Sequence, residues 1–184
     1  MRIISGYFKG KKILEPKDKE TRPLKDLTKE SIFNILNHSN KFRVNLENSI
    51  VLDLFSGVGS FGLECLSRGA QHVTFVENYS GVLPILKKNL DNLKILKKYK
   101  IIERNLFNDF NFGVLDDKFD MIFLDPPYKE KKIDLIINNI SKKKILNKNG
   151  VIIIHRHKKE NGKFSENFKI LEEKNYGISK IIFG

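Results

Sequence analysis

The residues best placed to do chemistry are the last four of Phe119-Asp120-Met121-Ile122-Phe123-Leu124-Asp125-Pro126-Pro127-Tyr128. Met121 to Leu124 form a near-continuous apolar run, which suits a strand buried on both faces. Pro126 and Pro127 cannot continue a ladder, and Pro126 biases Asp125 toward an extended conformation. Asp125 is therefore expected at the carboxyl edge of a sheet, where open α/β folds bind ligands. Two prolines also remove two backbone N–H donors, so this corner is rich in acceptors. An exocyclic NH2 on a nucleobase suits it, and Tyr128 adds a flat face for stacking. The plain alternative is a strand that runs into a Pro-Pro turn carrying an Asp.

A second constellation lies upstream, in Asp53-Leu54-Phe55-Ser56-Gly57-Val58-Gly59-Ser60-Phe61-Gly62. Gly57, Gly59 and Gly62 follow a strand-like run and precede a helix-like one, as in a G-x-G-x-x-G turn. Glu77 falls at the end of the next strand, where it can accept both hydroxyls of a ribose. A dinucleotide is the first guess from that template, but Asp53 argues against it. A carboxylate beside the glycine turn repels a pyrophosphate and attracts the ammonium and sulfonium of S-adenosylmethionine. A tight strand-to-helix turn with no ligand is the other reading.

These residues need a scaffold, and the pattern supplies one. Strands are expected at 50–55, 72–76, 100–103, 119–124 and 151–154, with helices at 60–68, from about 82, and at 133–145 closed by Asn149-Gly150. Runs at 168–172 and 178–183 read as a closing hairpin around Asn175-Tyr176-Gly177. Strands alternating with helices imply an α/β, doubly wound, mostly parallel sheet. Ahead of it, residues 2–14 read as a small hairpin and 26–37 as a helix. The join is expected within 38–48, giving an extension at 1–48 and a catalytic domain at 49–184.

Composition narrows the partner. The chain has 184 residues and a formal charge of +12, so a polyanion is the favoured partner. Lysine dominates the basic residues and alanine occurs only at Ala70, so codon bias explains part of that charge. Arg2, Lys9, Lys11, Lys12 and Arg22, interleaved with Tyr7 and Phe8, are expected to grip a phosphate backbone. Cys65 is the sole cysteine, which excludes an intrachain disulfide and a cysteine-based zinc site. No apolar run is long enough to span a membrane and no signal segment is recognised, so a cytoplasmic protein is expected.

The Asp-Leu-Phe-Ser-Gly-Val-Gly turn, Glu77 and Asp125-Pro126-Pro127-Tyr128 resemble the signature of S-adenosylmethionine-dependent amino methyltransferases. More narrowly, the chain is similar end to end to the RsmD family, which methylates N2 of a guanine in small-subunit (16S) ribosomal RNA. Arg2-Ile3-Ile4-Ser5-Gly6, Lys9-Gly10-Lys11, Arg22-Pro23, Leu66-Ser67-Arg68-Gly69-Ala70 and Tyr176-Gly177 carry that likeness. It implies a seven-stranded Rossmann-like class I fold. It also implies cofactor contacts from Asp53, Phe55, Gly57, Gly59, Glu77, Asn78, Asn105 and Leu106, and a catalytic corner at Asp125, Pro126, Pro127 and Tyr128. The partner implied is ribosomal RNA within the small subunit or its assembly intermediate, met by a monomer.

The chain departs from the family pattern in places. Leu27 and Lys29 stand where arginine is usual, which reads as a helix less suited to bidentate phosphate contacts. Asn105 replaces an Asp. His155-Arg156-His157 replaces an acid, and the two histidines read as surface or RNA-facing residues, with no third ligand to make a metal site. Rival functions remain open at this stage: methylation of DNA adenine or of protein glutamine, or a non-catalytic role in ribosome assembly.

Overall fold

The computed structural model describes residues 1–16, 24–95, 98–108, 110–115, 117–160 and 164–184. Its centre is a seven-stranded sheet: β1 Ile50–Leu54, β2 His72–Glu77, β3 Tyr99–Glu103, β4 Phe119–Leu124, β5 Leu146–His157, β6 Glu172–Tyr176 and β7 Ser179–Phe183. The order is β3-β2-β1-β4-β5-β7-β6, with β7 antiparallel to its two neighbours and every other pair parallel. Strand order reverses between β1 and β4, so the crevice beyond their carboxyl ends is the place for a ligand. This is the α/β, doubly wound, mostly parallel sheet expected from the sequence.

The helices are α1 Asp26–His38, α2 Ser60–Ser67, α3 Leu83–Asn92 and α4 Ile133–Lys143. Each buries a stripe at helical spacing; α4 turns Ile133, Ile136, Ile137 and Ile140 inward. Strand alternation divides the core in two. Val51, Phe75, Phe123 and Ile153 pack with α1, α2 and α3 on one face, while Leu52, Leu54, Ile122 and Ile154 pack with α4 on the other.

The N-terminal stretch is built into the first of these cores. Ile3, Ile13 and Leu24 share a cluster with α1 and the sheet. Gly6 has φ of +83°, and a Cβ there would lie 1.8 Å from the Ser67 carbonyl oxygen, so only glycine allows this approach. Tyr7 N–H donates to the Ser67 carbonyl and Phe8 N–H to its hydroxyl. The buried Glu64 accepts from the backbone of Ile4 at 2.7 Å and Ser5 at 3.0 Å, and from Arg68 Nε at 2.8 Å. Lys29 Nζ approaches the same carboxylate at 3.6 Å and donates to the Arg2 carbonyl and to Ser60 Oγ. Lys29 is fully buried and serves this interior cluster, consistent with a helix poorly suited to phosphate contacts. Burial lowers its pKa, while Glu64 and Asp26 pull it back up.

Three boundaries differ from expectation. The N-terminal hairpin has one bridge, Arg2 with Lys12, because its polar groups turn to α2 instead of extending a ladder. Helix α4 ends at Lys143, capped by Lys144, left-handed at φ +51°, well before Asn149-Gly150. Those two residues lie inside β5, whose register against β4 shifts between Phe119 and Met121. The closing hairpin pairs Tyr176 with Ser179 across Gly177-Ile178, so its first strand is Glu172–Tyr176 and not 168–172.

Candidate active site

Side chains alternate along a strand, so residues two apart share a face. Asp53 pairs with Phe75 of β2 and Phe123 of β4, and Phe123 pairs with Ile153 of β5. Two residues beyond those partners stand Glu77, Asp125 and His155. All four polar groups therefore emerge on the α1–α3 face, at the carboxyl edge. They line a cavity of about 600 Å³ together with Phe55, Ser56, Gly57, Ser60, Asn78, Tyr79, Pro126, Pro127 and Tyr128.

The glycine turn is held from several sides. Gly57 N–H donates to Glu77 Oε2 at 2.7 Å, while Glu77 Oε1 accepts from Asn78 N–H at 2.8 Å and Tyr79 N–H at 2.9 Å. Gly59 has φ of +85°, and a Cβ there would meet Leu86 Cδ1 at 2.5 Å. Phe55, a bulky residue, is also left-handed at φ +59°, a strained conformation of the kind found at ligand clamps. Buried Asn89 of α3 ties Val58 to Leu14, accepting from the Leu14 N–H and donating to both carbonyls.

Asp53 is almost completely buried and accepts from Gly62 N–H at 2.9 Å. Burial pushes its pKa well above the ordinary range; the Gly62 bond opposes that, and the charges of Asp125 and Glu77 add to it. Three carboxylates facing one cavity form a site that seeks a cation. Ser56 Oγ is buried there without a partner among the described residues. An unpartnered hydroxyl, a close glycine backbone and convergent acids fit the methionine end of S-adenosylmethionine, with its ammonium and sulfonium. Glu77 fits the ribose, for three N–H bonds leave a carboxylate lone pair to spare.

At the other wall, Asp125 N–H donates to the Leu54 carbonyl, and Asp125 Oδ1 lies 2.8 Å from His155 Nδ1. His155 is 7% exposed, so it is an interior residue of the site and not the surface or RNA-facing group read from sequence. Arg156 points to the opposite face and donates to the Glu130 carbonyl at 2.8 Å, with longer contacts to the Pro127 and Tyr128 carbonyls. It thus fixes the chain just after the two prolines. The Pro126 carbonyl accepts no hydrogen bond among the described residues. Tyr128 stands edge-on to His155 at 6.0 Å and to His157 at 5.3 Å between centroids.

The remaining candidates fall elsewhere. Asn105 accepts from Phe107 N–H at 2.8 Å, and Leu106 is buried in the core on the α4 face; neither lines the cavity. Phe107 packs on Phe55, 5.5 Å between centroids, so this turn supports the cavity wall from behind. Lys9, Lys11 and Lys12 are exposed, and Arg2 Nε lies 3.6 Å from Asp26. Arg22 lies outside the described residues. Lys25 and Lys129, not singled out from sequence, stand at the cavity mouth. Among the described residues no three His, Cys, Asp or Glu cluster as metal ligands.

Comparison with known proteins bears on this geometry. The family model described as conserved hypothetical protein 95 matches residues 1–184. Ribosomal RNA small subunit methyltransferase D of Haemophilus influenzae is 33% identical over 179 residues, covering 97% of this chain and 90% of that protein. The solved yhhF protein of Escherichia coli superposes with a TM-score of 0.78 at 26% identity, over 100% of this chain and 96% of that one. An RNA methyltransferase from Salinibacter ruber, solved with S-adenosyl-L-homocysteine, shares the fold at a TM-score of 0.64 and 10% identity, over 88% and 92% of the two chains. With its whole length matched, its sheet order and its acidic cavity, the chain belongs to the family described as conserved hypothetical protein 95, the RsmD family that its motifs resemble.

Proposed function

We propose that the chain transfers a methyl group from S-adenosylmethionine to the exocyclic N2 of a guanine in small-subunit ribosomal RNA. The observation that carries this reading is the meeting of Asp53, Glu77 and Asp125 in one cavity beyond the switch point of the sheet. The first two acids suit the cationic cofactor and its ribose. The third stands beside two prolines and an aromatic ring, where an amine has acceptors and a surface to stack on.

Bound S-adenosylmethionine supplies an electrophilic methyl group; the rest falls to residues of the chain. The guanine N2 lone pair is delocalised into the ring, so the amine is a weak nucleophile. Asp125 and the Pro126 carbonyl each accept one N–H and turn the lone pair out of the ring plane. Positive charge that develops on nitrogen is then met by Asp125, more strongly than in the ground state. A stacked, paired guanine cannot enter this cavity, so the substrate is a loop or flipped base resting on Tyr128. Exposed Lys9, Lys11 and Lys12, with Arg2 and Arg22, are assigned to the RNA backbone. The substrate is ribosomal RNA in the small subunit or its precursor, acted on by a monomer in the cytoplasm; no helix among the described residues is long and apolar enough to cross a membrane.

The test is incubation with labelled S-adenosylmethionine and separate pools of DNA, protein, free ribosomal RNA and small-subunit particles, followed by nucleoside analysis. Label recovered as N2-methylguanosine from RNA or particles is expected. Label in N6-methyladenine or in protein overturns the assignment.

A further inference from the structure

The sequence offers no obvious companion for Asp125, yet the structure gives it one. We propose that His155 is the positioning residue of the methyl-transfer step, holding Asp125 ionised and turned toward the amine. The inference rests on the amino-methyltransferase reading of this corner, and names a part of it that the motifs do not contain.

Hydrogen bonding assigns the proton. Asp125 Oδ1 and His155 Nδ1 are 2.8 Å apart, so one proton lies between them. His155 Nε2 is buried with no partner among the described residues. If Asp125 held the shared proton, Nε2 would carry an N–H with nothing to bond, and a doubly protonated ring would bury that N–H with a charge as well. Buried N–H groups without acceptors are the rarest of orphans. The neutral ring with its proton on Nδ1 and a lone pair on Nε2 is the least costly arrangement. In that form Nδ1–H donates to Oδ1 and favours the carboxylate.

Geometry gives this bond a consequence. His155 on β5 and Asp125 just past the end of β4 sit side by side, two residues beyond the Phe123–Ile153 pair, so the register of the parallel strands fixes their approach. Tyr128 stands edge-on to the ring, and Arg156 pins the following loop from the opposite face. With Oδ1 engaged, Oδ2 is the oxygen left for substrate. During the reaction the N–C bond forms as the C–S bond breaks, the sulfonium becomes a neutral thioether, and the nitrogen carries the positive charge. One proton then passes from nitrogen to Oδ2, while Oδ1 keeps its bond to Nδ1–H. Water takes that proton after the product leaves.

Two substitutions separate positioning from packing. His155→Leu keeps bulk and removes the donor; His155→Asn places an amide N–H near the position of Nδ1. Single-turnover methyl transfer is measured with saturating S-adenosylmethionine and small-subunit particles, scoring methyl incorporation into any nucleotide, so a wrong target base does not blunt the readout. Cofactor affinity and thermal unfolding are measured alongside. His155→Leu is expected to slow transfer on the order of 10–10² fold, as loss of an orienting partner typically does, with cofactor affinity within about twofold. His155→Asn is expected to recover most of that rate. Nitrogen-15 NMR of the imidazole in the parent protein, which needs no turnover, should show a neutral ring protonated at Nδ1. A His155→Leu rate within about threefold of the parent overturns the proposal, as do an Asn variant no faster than Leu or a ring protonated at Nε2.

Discussion

Glu77 and Gly57 are joined by a 2.7 Å hydrogen bond between a carboxylate and the amide of the glycine turn. The acid expected to hold a ribose therefore also shapes the loop beneath it, through the Asn78 and Tyr79 amides too. Glu77→Ala should weaken S-adenosylmethionine binding by roughly 1.5–3 kcal/mol, the range for a hydrogen bond to a charged group, and should lower the melting temperature as well. Calorimetry and thermal unfolding check both. Glu77→Gln should fall between, since an amide oxygen accepts fewer of these N–H bonds.

Asp53 makes the site sensitive to pH. Its folded-state pKa is raised, first by burial, so the folded protein holds this proton more tightly than the unfolded chain. Its contribution to stability is then complete at acidic pH. It declines as pH rises from the ordinary carboxylate range through the raised value. A cationic cofactor favours the ionised form, so the affinity for S-adenosylmethionine should move the other way and increase with pH over that window. Calorimetry in buffers of different ionisation enthalpy should detect proton release on binding, and Asp53→Asn should abolish it.

Glu64 is the hub between the N-terminal stretch and α2. Glu64→Ala leaves Lys29 buried without its main partner and should destabilise the protein by about 3–5 kcal/mol, as broken buried pairs do. Lys29→Met should cost far less, since Glu64 keeps Arg68 and two backbone amides. Urea unfolding of the two variants gives the comparison.

The basic N-terminal surface should read out in salt. Replacing Lys9, Lys11 and Lys12 together by Gln should weaken RNA binding and flatten its dependence on log salt by about one for every phosphate left unneutralised. Binding of S-adenosylmethionine should not change. Filter binding at several salt concentrations measures the slope.

Much of this was legible before any coordinates. The acids Asp53, Glu77 and Asp125 announce themselves, because Glu77 and Asp125 each close an apolar strand run and Asp53 interrupts one just ahead of the glycine turn. The sheet-edge position of His155 is implicit in the sequence, for Met121 to Leu124 and Val151 to Ile154 are equal runs and the residue after each reaches the same edge, but its pairing with Asp125 is not. What hid it was its neighbour. Arg156 and His157 make the segment look polar, although Arg156 spends its charge on backbone carbonyls of the Pro-Pro loop. The burial of Lys29 could not be read from sequence, since its buried partner Glu64 lies 35 residues later in the chain. The end of α4 could not be read from Asn149-Gly150, because a glycine at a strand irregularity and one at a helix stop have the same composition.

The carboxylate of Asp125 carries the central claim, and single-turnover methyl transfer by Asp125→Asn tests it most directly. Asn keeps the size of the side chain but offers the amine a neutral acceptor or a donor, so the developing charge loses its partner. With cofactor and RNA both saturating, transfer should slow on the order of 10²–10³ fold while cofactor affinity holds. A variant that turns over within a few-fold of the parent would contradict the account, leaving the corner a Pro-Pro turn and nothing more.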